Sequence, residues 1–349
     1  KKMENVSTQK DFSTVVNAML KQLKTSHTYY LSPSDIEYYQ LAAVFSALPK
    51  IKEHFNDQEI RYPTVGILTE TIEDHSFIVS VMPGSIAEKV GLLAGDEIVA
   101  VNGVPYQPID SLKDHVGKKV IFTIRRQLNG NVQSFDLIPK RMNPKQEMLE
   151  AEKKSIRLIE VRGKKIGYIH IYSYAGKEYH DILLEAIAGG VIKDADALII
   201  DLRYGLGGAD PSYLNIFNTK IPTFASTDNT GKTRSYDSQW RKPAVYLVNR
   251  ASRSGKELIA FGAKKYKLAT VIGERTAGAV VAGSLFPLSN GDLLYLACMS
   301  ALVDGVKLEG VGVAPDIEVP MDIRYSNGKD IQLEKAVEFL SNALSTQQE

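Results

Sequence analysis

The chain of 349 residues holds one cysteine, Cys298, so an internal disulfide and a cysteine-built metal cluster are both excluded. That scarcity fits a reducing compartment and equally fits bacterial envelope proteins that avoid cysteine, so it does not locate the protein. No apolar run approaches the roughly 20 residues needed to cross a bilayer. Lys1-Lys2-Met3-Glu4 opens the chain without an apolar signal core, and any export signal is therefore expected to have been removed or never to have existed. Charge of either sign is not in excess: 42 basic residues face 41 acidic ones, for a net charge of +1. Without a charged block, neither nucleic acid nor an anionic membrane surface is an expected partner. The 6 histidines include no His-Glu-x-x-His pair and no Cys/His cluster, which disfavours a metal hydrolase; no metal and no cofactor are implied. Internal repeats and low-complexity tracts are absent.

What is present is ordinary for a folded, multidomain chain: 44% hydrophobic and 24% charged residues, with length for two or three domains. Phe12, Val15, Val16, Met19, Leu20 and Leu23 recur at helical spacing, and a second helix is predicted from Ser34 as cap through Leu41, Phe45 and Leu48. Between them, Thr25-Ser26-His27-Thr28-Tyr29-Tyr30 puts polar groups on a turn, where reactive side chains are well held. Residues 1–58 are thus expected to form a helical N-terminal module. Residues 59–142 change to short strands, at 64–68, 77–81, 97–101, 120–125 and 132–137, with Asn129-Gly130 expected to close the last pair as a tight hairpin. A charged helix over 143–156 leads into an α/β region, 143–349. Its buried strands are expected at 166–171 and 197–202, a crossover helix at 178–192, further strands at 268–272 and 293–296, and a last helix at 331–344.

The chemistry concentrates where the apolar strand 244–248 runs into Asn249-Arg250-Ala251-Ser252-Arg253-Ser254-Gly255-Lys256-Glu257. Ser254 is read as a nucleophile, which needs a base for its proton and amides for the oxyanion it creates. Ser254-x-x-Glu257 is also a capping box for the following helix, and the two readings are compatible, because a helix start favours negative charge. Ser252 is the competing attacker; Ser254 ranks above it because Gly255 follows with an unhindered amide, whereas Arg253 follows Ser252. Upstream, Asp201-Leu202-Arg203-Tyr204-Gly205-Leu206-Gly207-Gly208 is a glycine-rich loop able to approach a substrate closely. It lacks the Gly-Lys-Ser/Thr ending of a phosphate loop. Arg203 reads either as a substrate contact or as an ion-pair residue. Lys256, Lys264 and Lys265 read as solvated or packing lysines.

Two resemblances sharpen this. Pro83-Gly84-Ser85-Ile86-Ala87-Glu88-Lys89-Val90-Gly91-Leu92-Leu93-Ala94-Gly95-Asp96 through Asn102-Gly103 resembles a PDZ domain. The resemblance implies a peptide, plausibly a protein C-terminus, bound as an added strand near Val65, Gly66 and Ile67. The module could instead only space its neighbours or gate a site. Asp201-Leu202-Arg203 with Gly207-Gly208, then Ser252 to Glu257, then Gly273-Glu274-Arg275-Thr276-Ala277-Gly278 resemble the tail-specific, or carboxy-terminal processing, serine protease superfamily. This resemblance implies a multidomain α/β protein with a crotonase/Clp-protease-like ββα core, Ser254 as attacker, and an oxyanion hole from Gly255 and Gly207 or Gly208. The tail-specific branch has its lysine base shortly after the Gly-Glu-x-Thr segment, and Ala279 stands there in this chain. The tricorn-core-like branch uses a Ser-His pair and a later glutamate, and the chain is similar to it at Ser26-His27 and at Leu308-Glu309-Gly310-Val311-Gly312-Val313-Ala314-Pro315-Asp316. The implied relay runs Ser254, His27, Ser26, Glu309, with Asp316 and Glu274 as competitors for the glutamate's role. Histidine, with an ordinary pKa of about 6.5, is suited to be that base at neutral pH. The expected function is a serine endopeptidase whose PDZ domain recruits or gates protein or peptide substrates. The family analogy adds an exported, periplasmic or extracytoplasmic bacterial setting, and an oligomer is compatible. The alternatives are an inactive pseudoprotease serving as a PDZ adaptor, for which Ala279 argues, and acyl-CoA chemistry, which such folds host.

Overall fold

The computed structural model describes residues 7–346, so the Lys1–Glu4 stretch lies outside the described residues. The chain divides into two compact units, each assembled from several segments. One takes the chain through Met148, then Val281–Gly310 and Asp322–Lys329; the other takes Leu149–Val280, Val311–Met321 and the chain from Asp330 on. No helix among the described residues is long and apolar enough to cross a membrane.

The second unit is built on a six-stranded sheet in the order Ile317–Glu318, Thr270–Gly273, Ala244–Val248, Ala197–Asp201, Lys164–His170, Arg157–Val161. Ala197–Asp201 and Ala244–Val248 are buried end to end, as uninterrupted apolar runs in a parallel sheet require. All neighbours are parallel except the hairpin Arg157–Val161/Lys164–His170. Its two turn residues, Arg162 (φ 48°) and Gly163 (φ 74°), have the left-handed pair of a tight hairpin. The helix Lys177–Ala188 makes the crossover to Ala197–Asp201. The helix Ile331–Thr346 lays Ala336, Leu340 and Leu344 on Ile166, Ile199 and Val245. Because four adjacent strands run the same way, the loops 171–176, 202–208, 249–254 and 274–280 all leave from one edge of the sheet. That edge, beyond the carboxyl ends of parallel strands, is where such sheets bind and react with ligands.

The first unit contains a five-stranded antiparallel sheet, Ile67–Ile72, His75–Val81, Glu97–Val101, Val120–Arg125 and Val132–Leu137, around Ile78, Val101, Phe122 and Ile124. Ile67–Ile72 is an edge strand. The expected tight hairpin at Asn129-Gly130 is wider: Arg125 pairs with Val132, leaving residues 126–131 as the connection. Arg126 draws the chain aside there, donating to both oxygens of Asp96 and to the Gly91 carbonyl, each at 2.8 Å.

The N-terminal region is less purely helical than its periodicity suggests. Tyr29–Leu31 is a strand, paired antiparallel with Leu293–Met299, which pairs in turn with Ala282–Pro287. The apolar partners that make it a strand lie some 260 residues on, beyond any local pattern: Leu31 meets Leu285 and Leu293 in one cluster with Leu41 and Ile51. The single helix expected from Ser34 is two, Ile36–Val44 and Pro49–His54. Asp35 occupies the cap and accepts from Ser32 N–H (2.7 Å) and hydroxyl (2.8 Å). Pro49, which lacks the N–H an interior position needs, starts the second helix.

Two buried histidines make the second unit acid-sensitive. Burial pushes His180, stacked on Tyr213 at 4.0 Å between ring centres, down to about 4. It does the same to His170, whose Nε2 lies 2.8 Å from the Arg203 carbonyl. Between pH 6.5 and about 4 the unfolded chain binds these protons while the folded chain does not. Stability therefore falls as pH drops through that window, by up to about 1.4 kcal/mol per unit for each group. His180→Phe, which keeps a ring against Tyr213, is expected to remove one such contribution. Urea melts at pH 7 and pH 5 check this, and equal pH slopes for variant and wild type would refute it.

Candidate active site

The loops at the sheet edge are joined by a dense set of hydrogen bonds. After Ala244–Val248 the chain turns at Asn249, whose side chain accepts the Ala251 N–H at 3.0 Å. Ser252 is fully buried, and its hydroxyl donates to the Leu202 carbonyl at 2.9 Å while accepting the Asn249 N–H at 3.0 Å. Its role is to tie the turn to the glycine loop. Ser254 sits at the cap of helix Gly255–Lys265 in the left-handed region, φ 59°, a conformation that strains a non-glycine residue and is found where function requires it.

Four donors hold that turn through one carboxylate. Glu257 accepts from Ser254 N–H (3.1 Å), Gly278 N–H (2.7 Å), Ala279 N–H (2.7 Å) and the Thr276 hydroxyl. Burial raises the Glu257 pKa, and these hydrogen bonds oppose the rise. Ser254 N–H also donates to the Ala279 carbonyl at 2.8 Å, and Thr276 Oγ1 accepts Val313 N–H at 2.7 Å. Residues 276–279, which follow Gly273-Glu274-Arg275, thus clamp the serine turn. The capping pattern revealed the helix start, but nothing local could show that its glutamate reaches 21 residues ahead.

The glycine loop comes within contact distance of Ser254. A Cβ on Gly207 would lie 2.5 Å from Ser254 Cβ, and one on Gly255 would lie 2.1 Å from Ala209 N. Gly208 has φ 99°, and a Cβ there would strike Ala175. Only glycines allow these backbone amides to crowd round one serine. Beneath the loop, Arg203 is an ion-pair residue: it donates to both oxygens of Asp201 and to Asp330 at 2.6–3.1 Å. Burial alone would raise the Asp201 pKa, but Arg203 and His170 hold it far below the usual carboxylate range.

Of the solvated and packing readings, Lys256 takes the second, since it is fully buried. Burial lowers its pKa to about 7, against the pull of Asp201 and Glu152. Lys264 does bind at the surface of its unit, donating to the Ala314 carbonyl at 2.8 Å and pairing with Asp316 at 3.3 Å.

The first unit holds the remaining candidates. Ser26 donates its N–H to Glu309 Oε1 (2.8 Å) and its hydroxyl to Glu309 Oε2 (3.0 Å), and Ser26 Oγ lies 2.9 Å from His27 Nδ1. Val281 N–H also donates to Glu309, at 3.3 Å. His27 has φ 54° and sets its ring 5.3 Å from that of Tyr295. The tautomer follows. A hydroxyl has one proton to donate, and a carboxylate can only accept, so with its proton given to Glu309, Ser26 Oγ accepts a hydrogen bond from His27 Nδ1–H, and the neutral ring has its lone pair at Nε2. Asn17 fixes the turn from the preceding helix, donating to the Tyr30 carbonyl (2.9 Å) and accepting its N–H (2.7 Å). Neither Asn17 nor Val281 carried a sequence signal.

Val65 and Ile67 bury their side chains in the core of the five-stranded sheet. Gly66 N–H donates to Thr64 Oγ1 at 2.9 Å, and its carbonyl accepts Met82 N–H at 2.9 Å. Any ligand contact at these three residues is consequently through backbone. Residues 77–126 match the PDZ domain family, and residues 165–319, spanning the sheet and its loops, match peptidase family S41. The chain thus carries a segment similar to peptidase family S41, somewhat less than half its length, and a segment similar to the PDZ domain family. A carboxyl-terminal-processing protease of Synechocystis is 24% identical over 77% of this chain and 65% of that relative. A probable CtpA-like serine protease of Staphylococcus aureus is 26% identical over 90% of this chain and 61% of its own length. The chain thus spans somewhat less than two thirds of these relatives. The tricorn protease structure is similar in fold, with a TM-score of 0.53 and 20% identity, over 97% of this chain and 33% of that one.

Proposed function

We propose that this chain is a serine endopeptidase working through an acyl-enzyme, with a histidine relay in place of a lysine base. Ser254 Oγ attacks the scissile carbonyl carbon and gives its proton to His27 Nε2. The Gly255 amide and that of Gly207 or Gly208 stabilise the oxyanion. The tetrahedral adduct collapses, and the C–N bond breaks as His27 returns the proton to the leaving amine. Water then attacks the ester by the same route and frees Ser254. Ser26 and Glu309 hold the imidazole in its Nδ1–H form. The observation that carries this reading is the Ser26–Glu309 contact across 283 residues of sequence, because a chain in which the relay had decayed has no need of a carboxylate there.

The proposal divides labour among residues 1–58 with the Ser-His pair, the PDZ segment 59–142 and the protease core 143–349. The edge strand Ile67–Ile72 supports recruitment of an extended peptide, a protein C-terminus being the favoured ligand, with backbone hydrogen bonds supplying the affinity. An extracytoplasmic bacterial setting belongs to the same proposal. The second reading, a PDZ adaptor without catalysis, draws on Ala279 alone. A fluorophosphonate probe separates them: stoichiometric label on Ser254, found by mass spectrometry of the digested protein, is expected, and an unlabelled Ser254 in folded protein would favour the adaptor.

A further inference from the structure

Lys256 is the second residue of the helix that Ser254 caps, and its side chain runs back under the glycine loop. Its Nζ donates to the Tyr204 carbonyl and, at 3.4 Å, to that of Tyr172. The same Tyr172 carbonyl accepts Leu206 N–H at 2.9 Å, and Tyr174 N–H donates to the Gly207 carbonyl at 2.9 Å. In a planar trans peptide the C=O and the following N–H point in opposite directions. Anchoring the Gly207 carbonyl on Tyr174 therefore aims the Gly208 N–H away from the 171–176 loop, and anchoring Tyr204 settles how the glycine loop enters this arrangement.

That entry is strained. Tyr204 has φ 55° and Gly205 φ 71°, and a Cβ on Gly205 would lie 1.9 Å from the Tyr172 carbonyl oxygen. Two consecutive left-handed residues pressed against a neighbouring loop persist only where their surroundings hold them. Glu152, fully buried in the same unit, has its pKa pushed well above the usual carboxylate range by burial, and the Lys256 charge opposes that rise.

We infer that Lys256 is a positioning residue, tying the loop with the Gly207 and Gly208 amides to the helix that starts at Ser254 and so fixing the oxyanion donors relative to the attacking oxygen. The inference rests on the hydrolase reading above. It assigns Lys256 no proton transfer, because its Nζ is engaged with two carbonyls.

A donor misplaced by an ångström loses much of its effect on the transition state while substrate binding is nearly unchanged. Lys256→Met is expected to lower kcat for a peptide substrate by about 30- to 100-fold with KM within about threefold. It should weaken inhibition by a peptide aldehyde, whose adduct puts an oxyanion in the hole, by a similar factor. Lys256→Gln, which keeps an amide donor, should recover part of both losses. Removing the lysine alone leaves Glu152 buried without its opposing charge. Glu152→Gln/Lys256→Met accordingly serves where the single variant does not fold, with the same losses expected.

Circular dichroism and melting curves establish which variants fold. A folded Met or double variant with kcat and aldehyde Ki within threefold of wild type overturns the inference. So does a loss in which kcat is spared and KM alone rises. A wild-type protein whose Ser254 takes no fluorophosphonate overturns the hydrolase reading itself, and this inference with it; label on wild type together with full turnover by Lys256→Met overturns this inference alone.

Discussion

Ser254→Ala is expected to lower kcat for peptide hydrolysis by about 10⁴- to 10⁶-fold, the range found when the nucleophile of a serine hydrolase is removed. Its unfolding free energy should stay within about 0.5 kcal/mol of wild type, as for substitutions that break no buried contact. The serine's backbone N–H, which donates to Ala279 and Glu257, is retained by alanine, so the clamp survives. Ser254→Gly sharpens the test. It should be as inactive, yet more stable by about 1 kcal/mol, because φ 59° strains serine and not glycine. Activity assays beside urea melts read both quantities. Wild-type turnover by either variant would remove Ser254 from the mechanism.

The second large effect is expected at Glu309. Glu309→Gln preserves shape but adds an amide donor, which can point at Ser26 Oγ. The hydroxyl then turns its proton toward His27 Nδ1, and the imidazole proton moves to Nε2, where it blocks the base. An inverted tautomer costs about 10⁴-fold in the related aspartate-to-asparagine change of a catalytic triad, and a loss of about 10³- to 10⁴-fold in kcat is expected here. His27→Ala should lose at least as much, and the double variant should be no worse than His27→Ala, because groups acting as one unit are not additive. Nitrogen-15 shifts of the His27 ring report the tautomer directly. Losses that simply multiply, or a ring tautomer unchanged in Glu309→Gln, would contradict the relay.

Much of the second unit could be read in advance because its signals are local. Strand Ala197–Asp201 and strand Ala244–Val248 are unbroken apolar runs, and the helices Gly255–Lys265 and Ile331–Thr346 show their faces within a few turns. Ser254 and the Gly207-Gly208 loop were legible for a related reason: a serine flanked by glycine at a strand-to-helix turn, and two adjacent glycines after a buried strand, are unusual enough to call for a purpose. Tyr29–Leu31 was not legible, because its partners, Leu293–Met299, lie far along the chain and a three-residue strand has no periodicity of its own. The buried partners of Lys256 are illegible for the opposite reason. Its sequence position marks an ordinary helix residue, and only the carbonyls of Tyr172 and Tyr204, supplied by two other loops, give its charge a buried destination. The Ser254-x-x-Glu257 spacing marks a cap and not a clamp, since three of the four donors to Glu257 come from residues 276–279.

The assignment of Val281–Gly310 and Asp322–Lys329 to the first unit, between stretches of the second, has a genetic corollary. Neither unit exists as one uninterrupted reading frame, so neither can be borrowed, swapped or duplicated by a simple gene fusion. A stop codon just after Val280 would delete the hairpin that pairs with Tyr29–Leu31, the carboxylate that accepts from Ser26 and the helix Ile331–Thr346 that covers the large sheet.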